Sequence, residues 1–467
     1  MTASPAARPR LAFTMLAFVQ SSLIFTIALI MVPLPKIAAE FNLAPTDVLL
    51  LQVAYGLPFS GLLLFGGRLA DRYGGRHMFV LGLILFGAAS VIAAAAPNYE
   101  VLAAMRFLEG VAGAMIAPAA MSVLHRMFPA PKDFGQAMAT WGGVSVLGAI
   151  LGFIVSGIVT TWVSWRWMFA VPILVALIAL ISTAALLPQD GDENPGRRPR
   201  LDPLGALLAT AGIVLGSYGL IMTGDYPWAS TPVLAPLTAS AILLAVFFAV
   251  EGKVRDPLLP PPFLADSCRI TGLLGMMLAA VGSIAIEYIL SLYLQQVRGW
   301  SPLATTLAFL PFAVAVIVAN RFSPALVGRF GAAQTTTGGL IIAALGLGVL
   351  AGIAGDSTHL IGLMPATVLV AVGMSLMFSG SAVLSTTNVP RHQAGLAGGV
   401  MNTAMELGPT LGLAVLMSVA GTQREIVRGY GWAFGAACLF YVVLALAAAR
   451  SGRQGACAAM AAETARG

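Results

Sequence analysis

Three carboxylates stand inside long apolar runs of this sequence: Glu109, Glu287 and Glu406. An ionised side chain at the centre of a bilayer costs about 2.5–3.5 kcal/mol on insertion scales, so an acid kept there is a functional candidate by default. Desolvation favours the protonated form of a carboxyl, which is the chemistry of proton uptake and release. Glu287 adjoins Tyr288 and precedes Gln295 by two helical turns, the spacing expected of a cavity wall. Glu406 follows Asn402 by one turn and precedes Gly408-Pro409, a pair that kinks a helix. Glu109 comes three residues after Arg106, so both share one helical face and can neutralise one another. Glu287 and Glu406 are therefore the candidates for proton coupling or cation binding. The competing reading makes each of them a buried structural hydrogen bond.

Around these acids, Gln52, Tyr55, Trp141, Tyr288 and Asn402 place polar or aromatic groups at mid-span. With Glu287 and Glu406 they would give a mostly apolar pocket a few polar anchors, which suits an amphiphilic small molecule; each alone is equally explicable as packing. Other chemistry finds no motif. The sequence lacks His-x-x-x-His, Gly-x-Ser-x-Gly and the phosphate-binding Gly-x-x-x-x-Gly-Lys-Ser/Thr loop, and its cysteines lack metal-ligand spacing. No enzyme activity, cofactor, metal or direct ATP drive is expected.

The elements that must hold these residues follow from composition. Of 467 residues, 58% are hydrophobic and 9% charged, against roughly 25% charged in a soluble domain. The apolar residues fall into runs of about twenty, each long enough to cross about 30 Å of hydrocarbon as a helix. A run such as Val80–Ala96 does not alternate in polarity, which excludes an outer-membrane barrel. Hydropathy and loop punctuation give about fourteen spans, near 12–34, 47–70, 77–96, 100–125, 135–160, 166–187, 203–224, 232–250, 269–296, 302–325, 335–354, 360–386, 394–420 and 432–449. An even count leaves both termini on one side. Most of the 25 Lys and Arg, including Arg68, Arg72, Arg76 and Arg126, then fall beside loops of that side, while Lys36, Arg166, Arg298, Arg424 and Arg428 fall on the other. The bias puts both termini in the cytoplasm of a multi-pass cell-membrane protein. The net charge of +6 is spread over short loops rather than one stripe, so it marks topology and not nucleic acid.

Polar stretches at 188–202 and 251–269 divide the chain into six, two and six spans. The expected units are a six-helix bundle over 1–188, a linker with two extra membrane helices over 189–268, a second six-helix bundle over 269–450 and a cytoplasmic tail over 451–467. A weak repeat supports the division: Gly67-Arg-Leu-Ala-Asp71-Arg72-Tyr-Gly74-Gly-Arg76 follows the second span, and Gly328-Arg329-Phe-Gly331 follows the tenth. In transporters with such repeats the substrate site lies near the midplane between halves.

The Gly67–Arg76 segment resembles the signature loop between helices 2 and 3 of the major facilitator superfamily, Gly-x-x-x-Asp-Arg-x-Gly-x-Arg, with His77 where a further basic residue is usual. Arg106 with Glu109, Gly110 and Gly113 resembles that family's helix-4 signature, where a buried Arg is associated with proton transfer. Trp165-Arg166-Trp167 and the stretch from Tyr293 to Trp300 narrow the resemblance to the fourteen-helix drug:proton antiporters. The resemblance implies the major facilitator fold, all-α, and proton-coupled efflux of lipophilic or cationic small molecules, acting as a monomer in the lipid bilayer. It assigns Gly67, Asp71, Arg72, Gly74 and Arg76 to conformational gating, with Asp71 against the positive N-terminus of a neighbouring helix in the outward-facing state. Two signatures are altered. Thr26 occupies the usual helix-1 acid position, and helix 5 reads Gly148-Ala149-Ile-Leu-Gly152-Phe153 in place of Gly-Pro-x-x-Gly-Gly. A facilitator or uptake carrier without proton coupling is therefore the alternative, followed distantly by a non-transporting receptor or an enzyme on the same fold.

Overall fold

The structure, a computed structural model, describes residues 8–453 apart from 31–32, 44, 131–132, 135, 139, 142–143, 145–147, 149–151, 153–154, 157–161, 191–200, 225, 255–256, 301–304, 306, 355–362, 388 and 390–392. Long apolar runs must close their backbone hydrogen bonds internally, and they do so as helices. The first bundle holds α1 (Arg8–Leu29), the short α2 (Leu34–Phe41) and α3 (Pro45–Val53), then α4 (Gly56–Tyr73), α5 (Gly75–Ala94), α6 (Tyr99–Met127) and α7 (Ala170–Leu186). A hairpin follows, α8 (Pro203–Ile221) and α9 (Thr231–Glu251). The second bundle holds α10 (Ser267–Ile284), α11 (Leu310–Phe330), α12 (Ala332–Ala354), α13 (Leu363–Thr386), α14 (Ala394–Gly421) and α15 (Ile426–Arg453).

Local chemistry sets several boundaries. The Asn98 side chain accepts from Val101 N–H to start α6, and Asp266 accepts from Cys268 and Arg269 N–H to start α10. Gly74 and Gly331 end α4 and α11 with φ of 97° and 86°, a conformation that costs a residue with a side chain but not glycine.

Eleven helical segments among the described residues are long and apolar enough to cross a membrane. The expected second span is broken at Ala54–Tyr55 into α3 and α4. The expected ninth runs from α10 into wider π-helical turns at Ala285–Leu290 and Tyr293–Val297, a form often found at functional sites. The fifth, 135–160, is described only in part, and Gly148 there seats against Ser21 of α1. Linker residues 191–200 and tail residues 454–467 lie outside the described residues, as do Ala149 and Phe153.

Large apolar side chains point outward on α5 (Leu81, Ile84, Val91), α7 (Ile178, Ile181) and α15 (Leu439, Val443, Leu446). Such a belt suits lipid. The α4–α5 turn marks one face of the molecule, called here the turn face. Helices α4 and α6 of the first bundle and α14 of the second pack together there. The hairpin is no appendage: α8 packs on α4 and also touches α14, and Ala206, Phe247, Leu64, Leu273, Leu396 and Val400 share one apolar cluster.

Candidate functional site

On the turn face the two bundles meet through a charged latch. Asp71, near the end of α4, accepts hydrogen bonds from Gly395 N–H at 2.8 Å and Leu396 N–H at 3.1 Å. These are free N–H groups of the first turn of α14, where the helix dipole also favours negative charge. Close approach makes the contact possible. A methyl at Gly395 would stand 2.5 Å from Gly67 O and 2.6 Å from Asp71 Oδ1, so the sequence has no room there for a side chain. Arg72 stacks on Tyr73, and the Arg76 and His77 backbone N–H groups are taken up by Asp190, at 3.1 and 2.9 Å. Asp190 also receives the Arg126 guanidinium at 2.8 Å and contacts His77 Nδ1 at 2.5 Å. One carboxylate thereby fastens the end of α7 to the start of α5 and to α6. A groove of about 530 Å³ beside it, lined by Arg76, His77, Val80 and Leu81 among others, lies away from the embedded acids.

Deeper in the first bundle, Arg106 and Glu109 are fully buried and paired at 2.9 Å. The i, i+3 spacing places them on one face of α6. Arg106 also donates to Thr26 O at 3.0 Å and lies over the Tyr55 ring, 4.9 Å from its centroid. Ser90 of α5 donates to the second Glu109 oxygen at 2.5 Å. A buried guanidinium stripped of its partner would cost about 3–5 kcal/mol, so Glu109 supplies the countercharge that an acid on α1 would otherwise provide. Thr26 meets Arg106 only through its carbonyl, its hydroxyl being turned back to Ser22 O at 2.7 Å.

The Tyr55 hydroxyl donates to Leu23 O at 3.1 Å and stands within electrostatic range of Arg106, Glu109 and Glu406. Glu406 of α14 is thus within electrostatic range of Tyr55 from the opposite bundle. One turn earlier, Asn402 accepts from Gln20 of α1 at 3.2 Å and donates to Gly398 O at 2.8 Å. Both amides are about 1% exposed, and Gln20 Oε1 has no hydrogen-bond partner among the described residues. Asp71, Asn402 and Glu406 therefore mark successive levels along α14 from the turn face inward.

Glu287 lies on the π-helical turn after α10 and accepts from Ser283 at 2.7 Å; no hydrogen bond joins it to Glu406 among the described residues. Tyr288 is 43% exposed. Trp141 is fully buried, with its ring edge-on to Phe13 in the core of the first bundle. Gln52 lies on α3, and its side chain is outside the described residues. The structure thus brings together Arg106, Glu109, Tyr55, Glu406 and Asn402, and sets Trp141 and Tyr288 apart. Sequence reasoning missed Ser90 and Asp190; an acid directly following an apolar run was the available signal for Asp190.

On the opposite face a charged cluster lies within the first bundle. Arg166 and the Trp165 indole both donate to Glu40 at 2.7 Å, and Arg166 reaches Ala96 O at 3.1 Å. The Trp165 hydrogen bond and the Arg166 charge hold the Glu40 carboxyl below the usual carboxylate range.

Membrane-length apolar helices with charged groups neutralised between them define a multi-pass membrane protein. The model of the Major Facilitator Superfamily matches residues 14–413, and the chain belongs to that family. It is 34% identical over 404 residues to the puromycin resistance protein pur8 of Streptomyces alboniger, covering 86% of this chain and 80% of that one. Similarity to the cephamycin export protein CmcT of Amycolatopsis lactamdurans is 32% over 430 residues, covering 91% and 88%. Among solved structures, the human organic anion transporter MFSD10 superposes with a TM-score of 0.68 at 15% identity, over 96% of this chain and 100% of that one. The proton:xylose symporter XylE gives 0.67 at 14%, over 95% of each. These structural likenesses carry the fold.

Proposed function

We propose that this transporter is a proton-coupled exporter of lipophilic or cationic small molecules of the antibiotic kind, working by alternating access as a fourteen-span protein with both termini and the turn face in the cytoplasm. Relatives named for antibiotic resistance and export support the substrate class, and the loop charges support the orientation. The observation that carries the coupling is the alignment along α14: the Asp71 latch, the Gln20–Asn402 hydrogen bond and Glu406, within electrostatic range of Tyr55, succeed one another inward. With the turn face closed, the central acids are served from outside. Protons taken there, one at each of Glu406 and Glu287, neutralise both acids, weaken their pull on a cationic substrate and favour its release. Opening of the latch then returns the protons to the cytoplasm. Tyr55 and Asn402 stand beside Glu406 to orient the substrate, and Arg106 with Glu109 keeps the interior electrically balanced.

Everted vesicles test the reading. Addition of substrate should discharge an imposed proton gradient, and Glu287→Gln and Glu406→Gln should each lower that discharge at least tenfold at equal protein level. Unchanged proton-driven transport in both variants would overturn the coupling role. Thr26 at the helix-1 acid position favours the second reading, a carrier without proton coupling, which predicts substrate flux with no gradient discharge.

A further inference from the structure

Two buried acids stand at the turn-face ends of the hairpin, away from the central acids. Asp202, 8% exposed, precedes α8 and accepts from Gly205 N–H through Oδ1 at 2.9 Å. Glu251, 1% exposed, ends α9 and accepts from Leu259 N–H through Oε2 at 3.0 Å. Each carboxyl is thereby half satisfied. The remaining oxygens, Asp202 Oδ2 and Glu251 Oε1, are buried and have no hydrogen-bond partner among the described residues. They also converge: a methyl on Gly205 would stand 2.5 Å from Glu251 Oε1 and 2.7 Å from Asp202 Oδ2. The missing side chain at Gly205 leaves them the space to do so.

Among the described residues, the charged groups facing Glu251 are Asp202 and, from α4, Arg68, itself 6% exposed. Two carboxyls thus stand together in a buried site. A buried carboxyl beside another carboxylate favours its protonated form. We propose that Glu251 holds a proton on Oε1 and donates it to Asp202 Oδ2, making a proton-binding site on the turn face, separate from the central acids. Arg68 lies one helical turn before Asp71 on α4. Departure of the proton places a second full charge opposite Arg68, so the protonation state of the hairpin acts on the helix that carries the latch.

The inference is independent of the export reading, and its test needs no transport assay. Thermal unfolding of the purified full-length protein in lipid nanodiscs is followed from about pH 5 to about pH 9, because a proton held by the folded state and released on unfolding makes stability fall as pH rises. In Glu251→Gln the amide keeps an acceptor for Leu259 N–H and donates to Asp202 in the proton's place. Asp202→Asn keeps the cap on Gly205. Each variant should fold and lose the part of the pH dependence due to one proton, a tenfold change in the folding constant per pH unit across the titration. A pH dependence identical to wild type in both variants would overturn the proposal. So would stabilisation by added sodium at constant ionic strength that Glu251→Gln abolishes, since the oxygens would then hold a metal cation.

Discussion

At the end of α4 the chain reads Asp71-Arg72-Tyr73-Gly74, and at the end of α11 it reads Gly328-Arg329-Phe330-Gly331. The local builds agree closely. Each arginine lies over the following aromatic ring, at 5.4 and 5.3 Å, and each glycine turns the chain with a positive φ. The wiring differs. Asp71 reaches the N-terminus of α14 in the other bundle, while its counterpart is Gly328, where a methyl would have nothing within 4 Å. Asp190 seals the first turn against the rest of its bundle; a methyl on Gly331 likewise would touch nothing. A duplicated turn thus bridges the two bundles in one copy and, among the described residues, not in the other, so the turn itself does not make the bridge. A carboxylate with a helix N-terminus in front of it does.

The sharpest way to break this contrast is Asp71→Ala. Two hydrogen bonds to a charged acceptor, at about 1.5–3 kcal/mol each, make the expected shift in the gate equilibrium at least about a hundredfold. Spin labels at Tyr73 and Gln393, across the seam, should move to longer separations and efflux should fall in parallel; an unchanged distance distribution would remove Asp71 from the gate. Asp190→Asn should act less strongly, by about 1–2 kcal/mol, through the weakened cap on α5 and the lost Arg126 pair. Its effect should appear in thermal stability, with the label distances preserved. Gly328→Asp should matter least, within about 0.5 kcal/mol of wild type, because an exposed carboxylate there faces no donor. If it instead lengthens or shortens the distances between the labels, the second turn also docks, and the asymmetry belongs to one conformation only.

Much of this was readable beforehand. Long apolar runs fix the helices because nothing else satisfies a backbone in lipid, and the spacing of Arg106 and Glu109 fixes their pairing because one helix carries both. Asp71 was readable through its motif, although the residues it binds lie more than 300 positions away. Cross-helix partners without a motif were not: Ser90 on Glu109, Thr26 O on Arg106 and Gln20 on Asn402 depend on how each helix is rotated about its axis. Trp141 and Tyr288 show the same limit, since mid-span polarity singled out both, and rotation buried one in a core and turned the other outward. The break before α4 at Ala54–Tyr55 was not expected, although Gly56 and Pro58 directly follow it. Asp202 and Glu251 read as ordinary span ends until the hairpin was seen folded against α4.

The hairpin has a further consequence for traffic between membrane and protein. Thr210 of α8 donates to Gly61 O of α4 at 2.9 Å, and the Trp228 indole, just beyond α8, donates to the Ser418 hydroxyl of α14. The line along which α4 meets α14 is therefore walled off from the acyl chains for much of its length. On this flank the hairpin, rather than acyl chains, is the neighbour that a hydrophobic guest in the leaflet would meet.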